Sequence, residues 1–166
     1  MTTFVVLRFP TAGGAPRTLR TLQHFQEQRM IQIDDGAILT WLPGARHPRT
    51  KQLGELTRVG VLDGGFWGML FGLLFSVPFF GVVAGAAIGA LANHFAPYGI
   101  DEDFIKRVRD QITEDTSALF LLTNEAVLDR IAAVIKNAPF ELISTTLSYE
   151  QEAQLRDAFG EESLVY

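Results

Sequence analysis

The 166 residues predict an α+β fold of the ferredoxin-like type: a βαβ-βαβ sandwich with an inserted glycine-rich apolar helical hairpin. Three observations predict it. Each flank of the chain reads strand, helix, strand. Val5–Leu7 and Leu119–Leu122 are continuously apolar, as central strands covered on both faces are. Between the flanks, residues 64–95 contain no Lys, Arg, Asp or Glu, and Pro78 sits near their middle.

Thr3–Phe9 is rich in β-branched and aromatic residues and ends at the breakers Pro10, Gly13 and Gly14, which marks a strand. Pro16 suits the first turn of a helix, where its missing N–H costs nothing. Leu19, Leu22 and Phe25 fall three apart among Arg and Gln, predicting an amphipathic helix to about Met30. Ile31–Leu42 has strand character, interrupted by Asp34-Asp35-Gly36 as a turn or bulge. A weak strand is expected over Thr50–Thr57. Asp101 is a good N-cap, and the helix it opens has Ile105, Val108 and Ile112 on its apolar face. Thr116–Asn124 reads as a buried strand. Val127, Leu128, Ile131 and Ile135 mark the next helix, and Phe140–Leu147 alternates like a half-buried strand. Ser148 with Gln151 is a capping-box signature opening a last helix that ends at Gly160.

The apolar run is the unusual part. Gly64, Gly68 and Gly72 recur every fourth residue, and after the break at Pro78 so do Gly81, Gly85 and Gly89. Each set lines one helical face. A helical glycine costs roughly 1 kcal/mol relative to alanine, so six at this spacing imply a compensating close contact between helices. The arms beside Pro78 span about 23 to 26 Å at 1.5 Å per residue, against a hydrocarbon core of about 30 Å. A single kinked span would put the two halves on opposite sides of a membrane, where one sheet could not form. A hairpin turning at Pro78 returns the chain to its starting side. The expected organisation is residues 1–58 as the first half of the sandwich, 59–96 as the hairpin and 97–166 as the second half with its C-terminal helix. Phe66, Trp67, Phe71, Phe75 and Phe80 are expected to face lipid or a partner, and Phe66, Trp67, His94 and Tyr98 to form an interfacial belt. Arg46, Arg49, Lys51 and Arg58 precede the run, so both termini are expected on the cytoplasmic side. Arg58 and Asp63 form a candidate interface charge pair. The alternative keeps the hairpin inside a cytoplasmic, soluble homo-oligomer.

Composition narrows the chemistry. The net charge of −5 argues against a general nucleic-acid-binding surface. Residues 1–62 carry +4 and residues 97–166 carry −8, so copies can attract head to tail. With no Cys, disulfides and thiolate chemistry are excluded. The N-terminus lacks the basic start and long apolar run of a signal peptide. Asp101, Glu102 and Asp103 are three consecutive acids that point different ways from a helix start, which fits capping rather than cation binding. His24, His47 and His94 have no metal-pair spacing. No phosphate-binding, dinucleotide or nucleophile motif occurs, so no catalytic residue, cofactor or metal is expected.

The segments "GGFWGMLFGLLF", "YGIDEDFIK" and "LSYEQEAQLR", in this order after an N-terminal β-α-β, resemble domain-of-unknown-function family 1269, a bacterial family of predicted membrane proteins. The resemblance implies a bacterial membrane or stress-associated protein and carries no activity, and the expected location is the bacterial inner membrane. The function expected is a non-enzymatic membrane-associated or self-assembling interaction protein, with a homo-oligomer and the lipid bilayer as partners. The alternative is a ferredoxin-like module that senses a small ligand.

Overall fold

Alternation within the first strand decides where two separate cores sit. In a computed structural model describing residues 2–53, 64–75 and 95–159, Thr2–Phe9 forms β1. Phe4 and Val6 point to one face, and Val5, Leu7 and Phe9 to the other, as the strand period of two requires. None of the five is more than 1% exposed. Such a strand must be covered on both faces and paired on both edges. One edge pairs with β4 (Ser117–Asn124), setting Val5 opposite Leu121, and the other with β5 (Glu141–Thr146), setting Val6 opposite Ile143. Beyond β4 lies β2 (Asp35–Thr40), with Ala37 opposite Phe120, and beyond that β3 (Arg49–Gln52). The strand order is β3-β2-β4-β1-β5 and every pairing is antiparallel. The chain is α+β, with this five-stranded sheet and five α-helices among the described residues.

The helices divide unequally between the faces. The crossovers α1 (Gly14–Glu27) and α4 (Glu125–Val134) both pack on the face of Val5, Leu7, Leu119 and Leu121, through Ala15, Leu22, Val127 and Ile131. The face of Phe4, Val6, Ala37 and Phe120 therefore needs its own cover. It comes from α2 (Gly64–Phe75), α3 (Glu102–Gln111) and α5 (Tyr149–Phe159). Phe104, Ile105 and Val108 of α3 and Leu155 of α5 are buried there.

Local chemistry explains the element ends. The Asp101 side chain accepts from the Phe104 N–H at 2.8 Å, and Asn124 does the same for Val127 at 2.9 Å, capping α3 and α4. At the start of α5 the Ser148 N–H donates to Gln151 Oε1 at 2.9 Å and the Gln151 N–H to Ser148 Oγ at 3.1 Å, a reciprocal capping box. Gly99, at φ +86, closes the 3-10 turn Ala96–Tyr98 just before α3. A Cβ there would also lie 2.9 Å from Gln151 Oε1, so the same glycine leaves room for the capping side chain.

Several expectations need correction. The helix predicted to Met30 ends at Glu27, and Arg29 follows with φ 59. The weak strand expected over Thr50–Thr57 is described as Arg49–Gln52. Asp34-Asp35-Gly36 is the entry to β2 rather than a break within a strand. The Asp34 N–H donates to the Leu122 carbonyl at 2.9 Å, and Asp35 pairs opposite Leu122 with 0% exposure. Of the apolar run, only the first arm lies among the described residues. No apolar hairpin is seen among the described residues, and no helix among them is long and apolar enough to cross a membrane. The first arm, α2, is a covering helix of the sheet. Pro78, Gly81, Gly85, Gly89 and Phe80 lie outside the described residues, as do Arg58, Asp63 and His94.

Candidate functional site

With an uninterrupted apolar composition, α2 has no polar side to set its orientation. Side-chain size sets it. Phe66, Trp67, Leu70, Leu73 and Leu74 are at most 3% exposed and enter the core beneath them. Burying five such side chains is worth on the order of 10 kcal/mol before the ordering cost. The ring contacts are specific. Phe66 meets Phe4 edge-on at 6.1 Å and Phe95 at 5.7 Å. Trp67, Phe71 and Phe75 recur every fourth residue and stack in succession at 6.0 and 6.4 Å. Phe71 sets its ring edge-on to Phe120 at 5.1 Å, and Phe75 meets Trp41 at 6.1 Å. The expectation that Phe66 and Trp67 face lipid or a partner is therefore overturned, while Phe71 and Phe75 pack against this core half-buried. The interfacial belt is overturned for Phe66 and Trp67 as well. The sheet face left open by the two crossovers captures these rings first.

The glycines lie differently. Gly64 opens α2, Gly72 is half-buried, and Gly68 is exposed. A Cβ added at Gly68 would meet no described atom within 4 Å. Its neighbour Met69 is 38% exposed, a large apolar side chain in solvent. The outer face of α2 is thus apolar and open, with Gly68 bare beside Met69. This surface is the candidate site. It offers no nucleophile, acid or base, so what it can do is pack against another backbone at close range.

The polar candidates sit apart from it. Asp101 is used in capping, with Glu102 and Asp103 in the first turn of the same helix. The His24 ring lies 3.1 Å from Gln28 Nε2 and edge-on to Phe25, on α1. His47 is exposed in the loop after β2. No group of three or more His, Asp or Glu that could hold a metal occurs among the described residues. Sequence reasoning passed over two features. One is Asp35, whose Oδ1 accepts from the Gly36 N–H at 2.7 Å inside the sheet. The other is a cavity of about 450 Å³ between the start of α1 and the end of α4, on the sheet face opposite α2. Its walls come from residues 9–21 and 134–139, far apart in sequence, so no local pattern reveals it.

The model of a family described as a protein of unknown function, domain-of-unknown-function family 1269, matches residues 61–160. The match begins just before α2 and runs through α5, leaving β1, α1, β2 and β3 before it. No curated protein and no solved structure matches the chain.

Proposed function

The chain belongs to domain-of-unknown-function family 1269, and we propose that it is a non-enzymatic, self-assembling interaction protein. Its copies meet through the outer, glycine-bearing face of α2 and the apolar run that follows. The observation that carries this is Gly68. A glycine inside a helix costs roughly 1 kcal/mol relative to alanine, and here no described atom comes close enough to require one. A second copy supplies the requirement. Small residues every fourth position let two helices approach closely, and the same patch on each copy is self-complementary.

A second copy is preferred to lipid because α2 already spends its bulky face on its own sheet. We read the interleaved order β2-β4-β1-β5 as the ferredoxin-like arrangement, with β3 and the α2, α3 and α5 layer added to it. One sheet draws strands from both sides of the apolar run, so both flanks occupy one compartment. The basic residues before the run favour the cytoplasmic side.

Light scattering after size-exclusion chromatography tests the proposal. Wild type is expected to run as an oligomer in plain buffer. Gly68→Leu should shift it to a smaller species while the circular dichroism spectrum and melting temperature hold, since the side chain enters open space within one chain. An unchanged mass for Gly68→Leu refutes the α2 contact. Recovery of the wild type only in detergent after alkaline washing of membranes would assign the surface to lipid instead.

A further inference from the structure

The cavity opposite α2 has no part in self-association, and its lining is chemically polarised. Phe9 at the end of β1, Val134 at the end of α4 and Pro139 in the loop before β5 give it an apolar wall. Arg17, Thr18 and Thr21 from successive turns of α1 give it a polar one, and no Asp or Glu lines it. Its volume of about 450 Å³ falls within the range of small-molecule sites.

The positive charge at this cavity comes from a side chain, not from the helix end. The Gly14 N–H donates to the Thr11 carbonyl at 3.2 Å and the Ala15 N–H to Ser117 Oγ at 2.8 Å. Pro16 has no N–H, and the Arg17 N–H donates to the Gly13 carbonyl at 3.3 Å. The first turn of α1 therefore has no donor to spare. The Arg17 guanidinium does. Arg17 is exposed, and its Nε donates to the Gly13 carbonyl at 3.1 Å while its Nη2 reaches Thr11 Oγ1 at 3.5 Å, which places the group beside the loop. It has no carboxylate partner among the described residues. Thr18, only 6% exposed, lines the cavity beside it. One exposed cation at the rim, a threonine hydroxyl beside it and an apolar wall match a ligand with a single negative head and an apolar body. A polyphosphate would leave most of its charge unanswered.

We propose that this cavity binds a small monocarboxylate with an apolar tail, its carboxylate against Arg17 and Thr18 and its tail against Phe9, Val134 and Pro139. The site stands independently of self-association, since α2 packs on the other face of the sheet. Octanoate is the probe, titrated into the full chain and followed by amide chemical shifts. Shifts are expected over residues 9–21 and 134–139, with octylamine and octan-1-ol producing none there. Arg17→Gln should weaken octanoate by at least about tenfold, the loss of one charge-assisted hydrogen bond. Thr18→Val, which keeps the shape and removes the hydroxyl, should weaken it less. Both variants should keep the wild-type melting temperature and oligomer mass. The proposal is overturned if octanoate leaves these amides unmoved, if octylamine moves them equally, or if the Arg17→Gln and Thr18→Val chains bind as wild type does.

Discussion

Two helical glycines show how opposite demands hide behind one residue type. A Cβ on Gly14 would lie 2.5 Å from Phe9 Cβ, so α1 can approach β1 only because that atom is missing. Gly68 faces open space instead. Gly14→Ala should therefore destabilise the chain by about 1–3 kcal/mol through overpacking, read as a lower urea midpoint at unchanged slope. The sequence shows both glycines and neither environment, because each is decided by what another element brings near. Asp101 is the contrary case. Its role depends on a donor only three residues on, so the capping pattern is legible in the sequence alone. That of Asp35 is not. Asp-Asp-Gly signals a turn locally, and only the Leu122 carbonyl, from a strand far along the chain, draws the preceding N–H into the sheet.

At the scale of elements, the amphipathic helices are readable and α2 is only half so. α3 declares its buried side through Ile105 and Val108 set among charges. In α2 every position is apolar or glycine, so hydrophobic periodicity cannot say which side is covered. The number of helices per sheet face carries the missing information: both crossovers occupy one face, leaving the other to be filled. Trp67→Ala tests that placement. Removing this ring should cost about 3–5 kcal/mol, measured by chemical denaturation and by loss of near-ultraviolet circular dichroism. The Trp67 Nε1 is buried without a hydrogen-bond partner among the described residues, so Trp67→Phe should cost much less than Trp67→Ala. Equal stability of wild type and Trp67→Ala would mean that α2 does not cover the sheet.

For the whole molecule, the continuous apolar runs of β1 and β4 mark the sheet centre, and the structure sets them side by side there. Their order can be read because a strand buried on both faces has no other place. The first arm of the apolar run belongs to the core of the sheet. Deleting residues 64–93 should unfold the chain, since it strips Phe66, Trp67, Leu70, Leu73 and Leu74 from the core. Replacing residues 76–94 alone with a flexible polar linker should keep the sheet and weaken assembly. Circular dichroism and light scattering on the two variants separate these outcomes.

The most direct test joins both roles of α2. The chain has no cysteine, so a single introduced thiol reports one place. Met69 lies beside Gly68 on the exposed side of α2, and Tyr149, 75% exposed, lies on α5. Helices packed through small residues bring such positions within about 8–10 Å between axes. Mild oxidation of Met69→Cys should give a disulfide-linked dimer in high yield, and Tyr149→Cys should not. A Met69→Cys chain that stays monomeric under oxidation, or crosslinks no faster than Tyr149→Cys, would contradict assembly through α2.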